Sequence, residues 1–575
     1  MSMRSERAPS AIEPRPQRRC RQPIAMTAAL AMTGLLDVAS PVVAATPELA
    51  SVRVPVLDWQ PCADEDGFEC ATADVPMDYS RPRGKTFSLA LIKAPAQDPG
   101  SRIGTLFWNP GGPSDVGTQY LPASVWGFPE AVRRSFDVVS WDPRGMGGRT
   151  TPVVQCFDSE EQEIGFLEAA FADLPAIPVS ARELAGYIEG HTRLNRRCLR
   201  RNSDLLAHVS TADNARDLDL LRQAVGDEEL TYYGTSYGTF LGATYLNMFP
   251  DRVRAVVLDG AADPRAWAGN DGDGALLSTF VRIGSDLGAA DTVSEFMNQC
   301  GDVDTASCAF SAGSPEATWR KWATLLARID ACPVTAGSVD GLDQPVDNRA
   351  LIAYVTSKIY LLRPLPGFGR FPGWRAVAEA LEKVWEASQQ QVGDGDVAAC
   401  LAAQPLAPPA PAEEPAGEAA EEAAGPPAPS TYVTSVGRQR SVICGESPNP
   451  TTPAAYAAQA WFSYERAGLN GWPFGAVCNR WSVRASNRYL GPWDTPTPPV
   501  LVIGNTFDPA TPYSSSRRMA DELWDGHLLT VDGFGHTQLL NPSQCAQDYV
   551  AAYLIDGDLP PDSARCAQES PPFSQ

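Results

Sequence analysis

Of the 575 residues, one serine and one of the four histidines stand where they could do covalent chemistry. Ser236 lies in Gly234-Thr235-Ser236-Tyr237-Gly238, a GxSxG turn. The apolar run 230–233 precedes it and the helix-forming run 239–249 follows. A strand-to-helix turn that sharp puts its middle residue in a strained backbone conformation, and its neighbours must lack side chains that would clash. The serine hydroxyl is then exposed at a helix N-terminus, where partial positive charge favours an anion. With strand before and helix after, a nucleophile outweighs a plain turn.

A nucleophilic serine needs a base. His191 and His208 precede Ser236 and read as ordinary surface residues, while His527 opens an apolar strand. His536, in Gly533-Phe534-Gly535-His536-Thr537 directly after that strand, fits the chain order serine, acid, histidine. The acid should follow the penultimate strand, and Asp508 sits a short loop beyond Ile503. Its carboxylate would hold the imidazole tautomer and stabilise the imidazolium; its other reading is an Asp-Pro turn. An oxyanion hole requires two backbone N–H groups. Tyr237 supplies one, and the glycine pair of Asn109-Pro110-Gly111-Gly112-Pro113 supplies the other, with Gly112 preferred over a purely structural turn. Acyl transfer by such a set expects no metal and no organic cofactor. A zinc site would need CxxC-like spacing with histidine nearby, and neither occurs.

These residues must be positioned by strands and helices. Residues 46–263 alternate short apolar runs with helical patterns, which argues βαβ units and a mostly parallel α/β sheet. Predicted strands are 86–93, 104–108, 136–141, 230–233 and 253–258. The run 212–225 reads as a helix from Leu218, Leu221 and Val225, with a capping-box-like start at Ser210 and Asp213. Between 264 and 498 the strand alternation disappears, Trp, Pro and Gly are frequent, and helical patterns such as 376–388 take over. Within it, 405–430 (PLAPPAPAEEPAGEAAEEAAGPPAPS) cannot bury enough surface to offset its ordering entropy and is expected to be disordered. The pattern resumes at 499–575 with strands 499–503 and 528–531 and a closing helix 545–554. The layout expected is one sheet domain made from both chain ends (46–263 and 499–575), with a large, mainly helical lid (264–498) inserted before the last strands.

Composition excludes other classes. A formal net charge of −23 repels phosphate backbones, so nucleic acid is not expected as a partner. No apolar run reaches the ~18 residues of a membrane span. Residues 1–45 carry a basic stretch (Arg15, Arg18, Arg19, Arg21), a short apolar stretch 24–36 and small residues up to Ala45. That is a secretory signal pattern, so a secreted or periplasmic protein is expected. Its removal takes Cys20 and leaves twelve of the 13 cysteines, an even number suited to disulfides. Close pairs are Cys62 with Cys70, Cys300 with Cys308, Cys444 with Cys478 and Cys545 with Cys566. Cys156 with Cys198 is a fifth, and Cys332 with Cys400 remains by elimination; sequence alone leaves the connectivity open.

In combination, NPGGP, FDVVSWDPRGMGG (136–148), TADNARDLDLLR, GTSYGT, FDPATPY and GHT resemble the secreted tripeptidyl aminopeptidases of actinomycete type. These are α/β-hydrolase relatives of proline iminopeptidase. The resemblance, which extends to the TAP-like C-terminal region around Cys545 and Cys566, implies an α/β-hydrolase fold and a serine exopeptidase releasing tripeptides from free N-termini. Its partner would be a peptide substrate, and the protein a monomer. Two departures bear on substrate choice: Ser114-Asp115-Val116 replaces the family's Gly-Gly-Ser continuation of the oxyanion loop, and Arg149-Thr150 replaces Ser-Thr. An exopeptidase must also bind an α-ammonium; lid acids such as Glu446 read individually as solvated charges. The rival readings are an esterase or lipase of the same fold and a binding module without turnover.

Overall fold

The computed structural model describes residues 52–573, apart from 271, 275, 336–338, 340–341, 343–344, 394–431, 435 and 472–477. The signal pattern (1–45), Cys400 and the Pro/Ala/Glu insert (405–430) therefore lie outside the described residues.

Ten strands form one sheet in the order β1-β2-β3-β5-β4-β6-β7-β8-β9-β10. They are β1 (Gln60–Pro61), β2 (Glu69–Pro76), β3 (Thr86–Ala94), β4 (Gly104–Asn109), β5 (Phe136–Trp141), β6 (Leu230–Thr235), β7 (Val253–Asp259), β8 (Val500–Phe507), β9 (Gly526–Phe534) and β10 (Arg565–Ala567). From β5 through β10 every neighbouring pair is parallel, and β1, β2 and β3 add an antiparallel edge. Each residue of β6 is buried, as expected of a central strand with helices on both faces. Side chains of one face of the sheet, such as Leu106, Val138, Val257 and Leu501, pack into one apolar cluster, and those of the other, such as Phe107, Val139, Val256 and Val502, into a second.

The seven predicted strands are all present. β1, β2 and β10 are additional: β1 has two residues and β10 three, too short for a period to register, and β2 (ECATADVP) begins with polar residues. The helix Gln544–Asp556 consequently does not close the fold, because β10 follows it and pairs with β9.

Between β7 and β8, in the segment expected as the lid, the described residues hold eight α-helices and no sheet strand. Val293, Phe296, Trp322, Leu351, Trp374 and Leu381 make its apolar core. A second excursion between β5 and β6, unanticipated in detail, consists of the helices Glu160–Phe171 and Ala181–Arg201. Ile177 and Leu184 join the lid core, and Arg349 bonds Glu183 at 3.0 Å. His191 belongs to this excursion, and the surface placement expected for it is wrong. It is buried on the helix, with its ring against Phe171 and Tyr187 and, among the described residues, no hydrogen bond to either ring nitrogen. Burial, aided by Arg440, pushes its pKa well below the usual value, so the neutral imidazole behaves as an aromatic filler.

The sequence motif around Asp142 and Arg144 ties sheet to helix. Arg144, fully buried, pairs with Asp217 of the helix Thr211–Ala224 and donates to the carbonyls of Pro76, Met77 and His208. Ser210 caps that helix through the Asp213 amide. The described residues contain the disulfides Cys62–Cys70, Cys156–Cys198, Cys300–Cys308, Cys444–Cys478 and Cys545–Cys566, and Cys332 is disulfide-bonded as well.

Candidate active site

Sheet register brings the site together. Asn109 lies beside Gly234, Gly234 beside Leu258, and Thr235 beside Asp259, which in turn lies beside Ile503. The loops that leave β4, β6, β7 and β8 therefore emerge along one edge, at the carboxyl ends of parallel strands, where ligands bind in open α/β sheets.

Ser236 has φ 57° and ψ −124°, the strained conformation expected of the middle residue of the turn. Both flanking glycines are required by contact. A Cβ on Gly234 would approach the Gly238 carbonyl oxygen to 2.3 Å, and one on Gly238 would approach the Asn109 carbonyl oxygen to 2.6 Å. The Ser236 amide donates to the Asp259 carbonyl at 3.0 Å, which pins the turn to the end of β7. Tyr237 is the first residue of the helix Tyr237–Met248, so its N–H has no intrahelical acceptor.

Asp508 and His536 are in hydrogen-bond contact: Nδ1 lies 2.9 Å from each carboxylate oxygen. This contact implies the tautomer with hydrogen on Nδ1 and a free Nε2. The carboxylate also accepts from the amides of Ala510, Thr511 and Thr537 and from the Thr511 hydroxyl. Burial opposes the imidazolium, but Asp508, with smaller contributions from Asp259 and Asp115, outweighs it and raises the His536 pKa. Among the described residues no hydrogen bond joins the Ser236 hydroxyl to the imidazole. Both residues line one cavity of about 750 Å³, and such bonds commonly tighten only with substrate present.

The loop after β4 stacks on the serine turn. A Cβ on Gly111 would fall 2.9 Å from the Ser236 Cβ and 3.2 Å from the Tyr237 nitrogen. The Gly111 amide is committed to Asn109 Oδ1 at 3.1 Å, which leaves Gly112 as the glycine with an amide available to a substrate oxygen. The Gly112 carbonyl accepts from Gln439 Nε2 at 2.7 Å. Gln439 comes from the lid helix Arg438–Glu446, so the lid braces this loop directly. It touches the histidine loop too, since the His536 amide donates to the Tyr360 carbonyl at 2.8 Å.

Two groups escaped the sequence. Gln439 carried no signal, because nothing local distinguishes one lid glutamine from another. Asp259 ends β7, and an acid closing an apolar strand is a visible clue. Its carboxylate accepts from the Gln538 and Leu539 amides, both at 2.8 Å, and from the Tyr233 hydroxyl. Burial raises its pKa to about 6 against those bonds. Glu446 corrects an expectation: it is buried, not solvated. It accepts from the Thr211 amide and hydroxyl and from Trp267 Nε1, so its acceptor sites are engaged within the fold. The other residues sort simply. His527 bonds Asp525 at the start of β9, and His208 gives its carbonyl to Arg144. Arg149 reaches Asp64 at the exposed surface, and Thr150 bonds the Asp142 carbonyl.

Residues 470–566 match the family model described as TAP-like protein, and residues 108–279 match that of the alpha/beta hydrolase fold. The chain is 30% identical over 540 residues to the serine protease Hip1 of Mycobacterium tuberculosis, covering 89% of this chain and 91% of that one. The chain belongs to the TAP-like family of α/β hydrolases. It is 29% identical over 566 residues to a carboxylesterase B of Mycobacterium tuberculosis, covering 94% and 96% of the two chains. It is 27% identical over 541 residues to a tripeptidyl aminopeptidase of Streptomyces coelicolor, covering 90% and 87%. A TAP-like α/β fold, a serine turn and serine-protease relatives make the protein a serine hydrolase.

Proposed function

We propose that the protein is an exported serine exopeptidase that cleaves peptide bonds near free N-termini and releases tripeptides. Ser236, His536 and Asp508 act as nucleophile, base and orienting acid. The observation that carries this reading is the Asp508-bonded His536 sharing one cavity with the strained Ser236 turn. Ser236 Oγ attacks the scissile carbonyl carbon while His536 Nε2 takes the hydroxyl proton. The amides of Gly112 and Tyr237 hold the oxyanion. Collapse breaks the C–N bond, and His536 returns its proton to the leaving amine. Water then attacks the acyl-enzyme with the same base, freeing Ser236 and the carboxylate product. Export is supported by the leader pattern in residues 1–45 and by the disulfides.

A second reading, hydrolysis of a non-peptide ester, is favoured by the carboxylesterase-named relative, which the alignment covers almost end to end. Two measurements decide. Fluorophosphonate should label Ser236, and a folded protein left unlabelled overturns both enzyme readings. A tripeptide anilide with a free amine should be cleaved much faster than its Nα-acetylated twin; equal rates remove the exopeptidase reading and leave the ester.

A further inference from the structure

The mechanism above makes no use of one carboxylate on the oxyanion loop. Asp115 stands three residues after Gly112, and a Cβ on Gly112 would lie 3.1 Å from the Asp115 carboxyl carbon. The side chain lines the same cavity as Ser236 and His536. Its ionisable surroundings are Arg370, Arg438 and His536, and its charge is felt by Tyr120 and Tyr360. None of these groups bonds it. Among the described residues the Asp115 carboxylate has no hydrogen-bond donor and no cation within ion-pair distance, yet neither oxygen is sealed in the interior. Arg438 donates instead to the Met146 carbonyl, and the Arg370 guanidinium lies over the Phe371 ring at 4.7 Å.

Four other enclosed acids are hydrogen-bonded, while Asp213 Oδ2, also buried, has no hydrogen-bond donor among the described residues and lies 3.8 Å from Arg144. Asp508, Asp259, Asp142 and Glu446 each accept bonds from backbone amides as well as side chains. A carboxylate withdrawn from water is costly unless it is paired and hydrogen-bonded. Asp115 opens on the cavity with no protein donor on its carboxylate among the described residues, so a donor brought by the substrate can pair with it there.

We propose that Asp115 receives the cationic side chain, lysine or arginine, of the substrate residue whose carbonyl Ser236 attacks. The assignment rests on the peptidase reading and deepens it by naming a substrate class. Position argues for that residue over the N-terminal ammonium. A chain spans at most ~3.3–3.6 Å per residue, so the α-ammonium of a tripeptidyl group lies roughly 10 Å from the scissile carbonyl. Asp115 is on the very loop whose Gly112 amide faces that carbonyl oxygen. Arginine would meet it as a bidentate pair, lysine as a point charge. Lys358, Arg370 and Arg440, on the lid side of the same cavity, are the competing groups and would favour an acidic side chain instead.

The test compares free-amine tripeptide anilides Ala-Ala-Xaa with Xaa lysine, arginine, norleucine or glutamate, on the full chain. Lysine and arginine should exceed norleucine in kcat/KM by about 10- to 100-fold, the range of one charge-assisted bond. Asp115→Asn, which keeps the shape and removes the charge, should bring the lysine-to-norleucine ratio close to one. A ratio near one in the unaltered protein, a ratio unchanged in Asp115→Asn, or a preference for glutamate each overturns the proposal. Should Asp115→Asn not fold, inhibition of norleucine-substrate cleavage is measured on the unaltered protein. Butylammonium should inhibit competitively and pentanol should not; equal inhibition overturns it. If fluorophosphonate labels Ser236 but no anilide is cleaved, the peptidase reading fails by itself. The same lysine-to-norleucine ratio on p-nitrophenyl esters then decides whether Asp115 selects a cationic acyl group.

Discussion

On one side of the cavity the Asp508 carboxylate is held by the amides of Ala510, Thr511 and Thr537, the Thr511 hydroxyl and the His536 ring. On the other side Asp115 accepts no hydrogen bond from the described residues, and its loop depends on glycine backbone, on Asn109 and on one lid glutamine. The first region grows from β8 and β9, toward the β10 edge of the sheet. The second is a loop that stacks on the serine turn and leans on the lid. Saturated acceptors fix one geometry and suit a proton relay, which must not vary with substrate. Vacant acceptors leave an interaction to be completed from outside, which is what discrimination between substrates requires. On the reading proposed above, the two carboxylates differ in use because they differ in partners.

Substitutions can break this contrast in graded steps. Ser236→Ala should lower kcat by about 10⁴–10⁶-fold and abolish fluorophosphonate labelling, with thermal stability near that of the unaltered protein. Asp508→Asn should cost about 10⁴-fold in kcat, since the ring loses the acceptor that selects its tautomer. A loss below tenfold in steady-state assays would mean that the saturated region does not orient the base.

Asp259→Asn should be milder, about 10- to 100-fold, because one of the Gln538 and Leu539 amides would then face an NH₂ group. It also carries a pH signature. Asp259 helps raise the His536 pKa, and the base works only when neutral, so activity falls as pH drops through that raised value. Removing the Asp259 charge lowers the His536 pKa and should move the acid limb of kcat/KM to lower pH. A limb that stays put would assign Asp259 a purely structural part. Gln439→Ala should have the smallest effect, a loss of up to about tenfold in kcat with KM little changed, since the Gly112 loop loses one neutral brace. A large rise in KM with unaltered kcat would show the lid glutamine acting on substrate binding instead of on the oxyanion loop.

What the sequence disclosed follows the range of each signal. Strands of five or more mostly buried residues announce themselves as apolar runs, so β3 to β9 were legible, whereas two- and three-residue edge strands have no period to read. The Ser236 turn and the Asp508–His536 contact were legible because strand-end loops in this topology are constrained by chain order. Glu446 and His191 were misread because burial of a polar residue depends on its partners: Trp267 lies 179 positions from Glu446, and Phe171 and Tyr187 form the box around His191. Asp115 was visible as an oddity of composition beside Gly112, but its vacancy is a property of surroundings that only three dimensions supply. Gln439 reaches Gly112 across 327 positions, a distance over which no local pattern carries information.

The disulfide Cys156–Cys198 presses on a single residue of the lid. Gly437 has φ 94°, and a Cβ there would meet the two sulfurs at 2.5 and 2.7 Å. Gly437 is the N-cap of the helix that carries Gln439, and Gln439 holds Gly112. The Cys156–Cys198 bond and the Gly112 loop are thus joined through one short lid segment. In a reducing compartment Cys156 and Cys198 would be two separate thiols, and the pair of sulfurs beneath Gly437 would no longer be held at bonding distance. Oxidation would then set the footing of the brace before any substrate arrives.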